Sequence, residues 1–174
     1  MCRRRVPDID VLGRHVVVPT DRELGHPHYD YKLRWLESLR TAAAGWLADD
    51  PDVQVALTGD WNIAPEDDDV WDMAFFANST HVSEPERAGF RALLDWGLTD
   101  AYRQLHPTAT GRFTWWDYRA GNFHKNFGMR IDHVYVSAPL AARAVAAERD
   151  REARKPSTYP GIPSDHAPVI VDFD

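Results

Sequence analysis

Leu57-Thr58-Gly59-Asp60-Trp61-Asn62-Ile63 is the stretch on which the reading of the fold turns. Val53, Val55 and Leu57 recur every second residue, the period of a strand, and the strand ends on Gly59-Asp60. Residues two apart on an extended chain point the same way, with Cα atoms about 6.6 Å apart. Asp60 and Asn62 therefore offer a carboxylate and a neutral amide to one point. Such a pair can hold a hard cation and hydrogen-bond a phosphate oxygen. The same residue types also suit a strand-to-loop turn in which Asx side chains cap backbone amides.

Working outward, Leu33, Leu36, Leu39 and Ala43 recur at helical spacing and predict a helix over 31–48, which Asp49-Asp50-Pro51 stops. Before it, Val16-Val17-Val18 reads as a short buried strand ahead of Pro19, and 20–30 as loop. After the central strand, 66–76 is acidic, a loop with a short helix. Ser83 is a good N-cap for a helix over 84–96, with Glu86 completing a capping box and Gly97 closing it. Residues 114–116 and 131–136 read as strands flanking the loop 119–128, and 169–173 as a last strand. Strands alternate with helices early and come alone later. That order predicts a layered α/β sandwich with mixed sheets, read as one domain over 1–174 with 1–15 unassigned.

Composition sets the outer limits. The 174 residues are 44% apolar and 27% charged, globular proportions that exclude a disordered or coiled-coil chain. Cys2 is the only cysteine, so an internal disulfide is impossible. No apolar run approaches the ~18 residues of a membrane span. Met1-Cys2-Arg3-Arg4-Arg5 begins like a signal peptide, but Pro7, Asp8 and Asp10 follow where an apolar core should be, which implies a cytoplasmic protein. The net charge of −7 argues against a coat for nucleic acid, yet it is unevenly spread. Residues 46–72 carry nine acids and no Lys or Arg. Residues 102–130 carry Arg103, Arg112, Arg119, Lys125 and Arg130 against Asp117 alone, interleaved with seven aromatics. That interleaving suits a phosphate backbone with exposed bases or sugars, or a Trp-rich core with solvated arginines around it.

Two further clusters carry chemistry. In Arg130-Ile131-Asp132-His133-Val134-Tyr135-Val136, Asp132 interrupts an apolar strand. A buried carboxylate there needs a partner, whereas an exposed one would pair with Arg130. In Pro163-Ser164-Asp165-His166-Ala167-Pro168-Val169, the Asp165-His166 pair precedes the last strand. A His oriented by a carboxylate serves as general base or phosphate-facing donor, and a capped turn with an incidental His is the alternative.

Taken in order, Gly-Asp-x-Asn, Phe113-Thr114-Trp115-Trp116-Asp117-Tyr118-Arg119, Arg-Ile-Asp and Ser-Asp-His-Ala-Pro-Val resemble the exonuclease III and abasic-site endonuclease branch of the endonuclease/exonuclease/phosphatase superfamily. His26-Pro27-His28-Tyr29-Asp30-Tyr31-Lys32-Leu33-Arg34-Trp35-Leu36 and Leu93-Leu94-Asp95-Trp96-Gly97-Leu98-Thr99-Asp100-Ala101-Tyr102-Arg103 look like the same branch. The resemblance implies that family's β-sandwich flanked by helices. It also implies a metal-dependent DNA repair nuclease that hydrolyses phosphodiesters at 3' ends and abasic sites of duplex DNA, with Mg²⁺ or Mn²⁺. By the same resemblance Asp60, Asn62, Asp132 and His166 are catalytic, and Asp60, Asn62, Asp165 and His166 hold the metal. Asp60 would position or deprotonate water, Asn62 bind the scissile phosphate, and Asp132 polarise His166. Trp115, Tyr118, Arg119, Asn126 and Arg130 would meet the DNA.

The chain also departs from the family pattern. The family's early Asn and metal-binding Glu cannot be placed, and Val17 stands where the family has a Tyr. The chain thus reads as about the C-terminal two-thirds of a family domain. The alternative expectation is a catalytically impaired remnant that binds DNA or protein, with a possible homodimer through the surface the missing part would cover.

Overall fold

The computed structural model describes residues 11–17, 23–155 and 161–174. Cys2, Asp8, Asp10, Val18 and Pro19 lie outside the described residues. In chain order the elements are β1 (Val11–Val17), α1 (Pro27–Asp49), β2 (Gln54–Asp60), α2 (Glu84–Asp95), β3 (Leu98–Asp100) and α3 (Ala101–Leu105). There follow α4 (Asn122–Lys125), β4 (Asp132–Ser137), α5 (Ala138–Ala141), β5 (Ala144–Arg149) and β6 (Val169–Phe173). Among the described residues no helix is long and apolar enough to cross a membrane.

Helix α1 starts earlier than its apolar stripe predicts. Pro27 has its φ preset for the first turn, and the ring of His26 accepts the His28 N–H at 3.2 Å, so the helix grows into residues read as loop. Helix α2 matches its capping-box reading. The Ser83 N–H donates to the Glu86 carboxylate at 3.2 Å while the Ser83 side chain takes the Glu86 N–H. Strands β3 and β5 were not anticipated. Three residues cannot show alternation, and Ala-Val-Ala-Ala-Glu-Arg carries too little apolar contrast.

The four-stranded sheet runs β1-β2-β4-β3. Strands β1 and β2 are parallel, joined by α1 as crossover, while β4 is antiparallel to β2 and β3 to β4. One face, through Val55, Leu57 and Tyr135, packs on Leu36 of α1 and on Phe90 and Leu93 of α2. Trp61 closes that core edge-on against Phe90 and Tyr135, with ring centroids 5.9 and 4.9 Å away. The opposite face, through Ala56, Val134 and Val136, packs on Val169, Val171 and Phe173 of the two-stranded β5–β6 sheet. The result is helices, sheet and sheet in layers, the flanked sandwich that the order of elements predicts.

Residues 114–116 correct one reading. Instead of a strand, they make single bridges, from Trp115 to Met129 and from Trp115 to His166. Those bridges need Gly128. A Cβ there would stand 2.5 Å from the Trp115 carbonyl oxygen and 2.6 Å from the Trp116 indole nitrogen. Gly128→Ala is therefore expected to lose about 1–3 kcal/mol by overpacking. Urea unfolding reads this out, and an unchanged midpoint would show that the bridge yields without cost.

Candidate active site

The site follows from strand register. Asp60 and Asp132 are direct partners across the β2–β4 ladder, so their side chains leave the sheet on the same side. That side also carries Ala56, Val134 and Val136, the face turned to β6. The segment entering β6 brings His166 to it. Ala167 is buried and donates its N–H to the Thr114 carbonyl at 2.7 Å, while the Trp116 N–H donates to the Asp165 carbonyl at 3.1 Å. His166 is thereby held over the strand pair. Its Nδ1 lies 2.9 and 3.1 Å from the Asp132 carboxylate oxygens, and its Nε2 4.0 Å from Asp60 Oδ2. Ligand atoms of Asp60, Asp132 and His166 all fall within 4.8 Å of one another. Thr58, Gly59, Ser164 and Pro168 complete an open groove of about 370 Å³ around Asp132 and His166.

Asn62 joins this centre by an unusual backbone. It adopts a left-handed φ of 52° and is buried. Its N–H and side-chain amide donate to the two Asp60 carboxylate oxygens at 2.9 and 3.0 Å. Its carbonyl accepts from Lys32 Nζ at 2.7 Å and from the His81 ring at 2.6 Å. Lys32 is in turn paired with Glu86 at 2.5 Å, both fully buried. A buried ion pair under a strained backbone holds the turn in one conformation. The sequence places Lys32 in a family-like helical stretch and Glu86 in a capping box but does not pair them, because nothing local marks two helical charges as partners across 54 positions.

The electrostatics follow from crowding. Burial first, then the Asp132 charge, push the Asp60 carboxyl above its ordinary range, against the Asn62 hydrogen bonds and His166. Burial pulls His166 down, but its hydrogen bond to Asp132 and the charges of Asp132, Asp60 and Asp165 outweigh that and hold it above its usual value. The arrangement favours an imidazolium between carboxylates.

Other expected residues fall differently. The Asp165 carboxylate accepts the Trp115 indole N–H at 3.0 Å and is not part of the convergent trio, which Asp132 completes instead. Tyr118 is exposed and donates its hydroxyl to the Pro163 carbonyl at 2.7 Å. Arg119 is exposed at the loop tip and pairs with Asp117 at 2.7 Å. Asn126 organises its own loop, accepting from the Trp116 indole at 3.2 Å and donating to the Gly111 carbonyl at 3.1 Å.

Arg130 is a correction. It does not line a groove for DNA but is buried, with Asp69 at 2.6 and 2.9 Å and Asp100 at 2.6 Å. Its guanidinium also donates to His133 Nδ1 at 3.0 Å, while His133 Nε2 donates to the Ile63 carbonyl at 2.9 Å. Burial, then Arg130, push His133 from 6.5 to about 4. The unfolded His takes up a proton near 6.5 and the folded one does not until about 4, so its contribution to stability falls across that window as pH drops. Urea midpoints measured along pH should therefore fall more steeply between those values in the parent than in His133→Gln. Parallel profiles would refute the buried neutral imidazole.

Fold and site together define a layered α/β sandwich that gathers acid, amide and imidazole at its strand ends. The chain belongs to the endonuclease/exonuclease/phosphatase family, whose model matches residues 2–166. Its relatives lie in the exonuclease III and AP endonuclease branch. It is 37% identical over 128 residues to exodeoxyribonuclease III of Haemophilus influenzae, covering 68% of this chain and 45% of that protein. It is 33% identical to an exodeoxyribonuclease of Bacillus subtilis, covering 92% and 59%. Among solved structures it matches the 3' phosphatase NExo from Neisseria bound to a product DNA hairpin, with TM-score 0.85 and 36% identity over 93% of this chain and 60% of that one. An AP endonuclease from Archaeoglobus fulgidus matches with TM-score 0.85 and 31% identity, covering 94% and 62%. The chain thus spans about half to three-fifths of the length of these relatives.

Proposed function

We propose that the chain carries the phosphodiester-cleaving centre of a divalent-metal-dependent DNA repair nuclease, acting on 3' ends and abasic sites of duplex DNA. The convergence of Asp60, Asn62, Asp132 and His166 supports this reading most directly. The donor set fits a hard cation, since carboxylate oxygens of Asp60 and Asp132 come within 4.8 Å of each other. Asp60 and Asp132 would hold Mg²⁺ or Mn²⁺, with Asn62 and Asp165 beside them and His166 turned to the phosphate. A bound cation neutralises charge that develops on the phosphate and lowers the pKa of water.

The chain's own groups supply the rest. Asp60, held by two Asn62 donors and raised in pKa, orients the attacking water and accepts its proton. Asn62 hydrogen-bonds the scissile phosphate. Asp132 takes the Nδ1–H of His166 and leaves Nε2 facing the phosphate as a donor. Trp115, Tyr118 and Arg119 meet the nucleic acid from the loop above.

Comparison with the Haemophilus enzyme tests the reading on a labelled duplex bearing one abasic site. Cleavage with Mg²⁺ or Mn²⁺, none with a chelator, and a rate well below that enzyme are expected. Cleavage indifferent to chelator would overturn it. One observation favours a second reading, an impaired remnant that binds DNA or protein without cutting it. Val17, where the family carries a Tyr, stands beside Asp60 in the β1–β2 register. A rate equal to that of the full-length relative would eliminate this alternative.

A further inference from the structure

We propose that Arg112, Arg149 and Arg151 form a second phosphodiester-binding surface, apart from the Asp60–Asp132–His166 centre, that grips the backbone of duplex DNA; this rests on the duplex-DNA reading above. The starting observation is an imbalance of partners. Arg40, Arg87, Arg91, Arg103, Arg119 and Arg130 each hold a carboxylate. Among the described residues, Arg112, Arg149, Arg151 and Arg154 have no ion-pair carboxylate within 4.0 Å, in a chain of net charge −7; Arg34 on α1 also has none, but it stands apart from this group. The four lie together. A cavity of about 620 Å³ is lined by the first three with Thr108 and Thr110, and a second of about 610 Å³ shares Arg151 with it.

The guanidiniums are held ready. Arg151 sits 4.0 Å from the Phe123 ring centroid and donates to the Phe123 carbonyl at 2.6 Å. Arg149 and Arg151 lie 5.6 and 5.5 Å from the Trp116 ring. Stacking immobilises the plane of an arginine while its edge can still donate to a phosphate, which an ammonium cannot imitate. Arg149 uses one terminal nitrogen on the Phe113 carbonyl at 3.0 Å, and its buried Nε has no partner among the described residues. Burial, and then Arg112 and Arg151, depress the Arg149 pKa after a partial offset by Tyr102. These are like charges kept together with no ion-pair partner within 4.0 Å among the described residues.

Among the described residues the interleaved acids form no ion pair with these arginines. Asp150 is engaged in capping the Ala153 N–H at 3.1 Å, and Glu152 pairs with Lys155 at 2.7 Å. Only Glu148 shares the first cavity. The surface also continues towards the catalytic centre. Trp116, beneath Arg149 and Arg151, donates its N–H to the Asp165 carbonyl, and Tyr118, lining the second cavity, bonds the Pro163 carbonyl. Two adjoining cavities suit a run of backbone phosphates better than one small ion.

The test is the salt dependence of binding to a fluorescent duplex, measured by anisotropy in a chelator so that no cleavage intervenes. Each phosphate contact adds roughly 0.9 to the slope of log K against log salt. Arg112→Gln/Arg151→Gln is expected to flatten the slope by about 2, and the exposed Arg112→Gln alone by about 1 without touching the fold. Arg34→Gln/Arg40→Gln on α1 removes the same net charge and should leave the slope unchanged. An unaltered slope in the first two variants, an equal loss in the α1 control, or no duplex binding by the parent chain overturns the surface. A chain that binds as expected but never cuts with Mg²⁺ would overturn the nuclease reading alone.

Discussion

His166→Ala and Asp60→Ala are each expected to remove metal-dependent cleavage, with kcat falling by roughly 10²–10⁴-fold, the contribution of a positioned acid or base. His166 has no local substitute. The bridge from Trp115 and the buried Ala167 fix its backbone, and its ring is oriented by Asp132 at 2.9 Å. Asp60 sits where two Asn62 donors meet a second carboxylate, so removing it also frees the Asn62 amide from its acceptors. Because both residues serve one step, the double variant should be little worse than either single one. Single-turnover cleavage at saturating Mg²⁺ measures this, and unchanged melting temperatures would exclude unfolding. Survival of activity in both single variants would remove these residues from the site.

Arg130→Met should instead destabilise the protein without touching the site. It leaves the nearly buried carboxylates of Asp69 and Asp100 facing an apolar side chain, and stripping one partner from such a group costs about 3–5 kcal/mol. Against a domain stability of about 5–15 kcal/mol, that is a large share. Arg103, which also reaches Asp69 at 2.6 Å, offsets part of the loss. Urea denaturation gives the answer. An arginine facing DNA would behave in the opposite way, costing affinity and salt dependence at constant stability, so this one variant separates the two placements.

The contrast between Arg130 and Asp132 shows where sequence reasoning stops. Both sit in one motif, two residues apart, and either could have been the exposed partner of the other. Residue type gave no preference. Asp132 is decided by His166, 34 residues away, and Arg130 by Asp69 and Asp100, 61 and 30 residues away. The same holds for Asp165, which takes the Trp115 indole across 50 residues rather than joining the trio.

What the sequence determined by itself was local. Helical spacing marked α1, a capping box marked α2, and apolar alternation marked β2 and the approach to Asp60-x-Asn62, because helix and strand periods and caps depend on neighbours a few residues apart. The resemblance of four short motifs then supplied the family. Only the tertiary structure decided which charges face solvent, that Asp60 and Asp132 are register partners, and that Arg112, Arg149 and Arg151 line one cavity without an ion-pair partner. Those outcomes depend on strand register and on burial between distant segments, and no window of the chain contains both sides of such a contact.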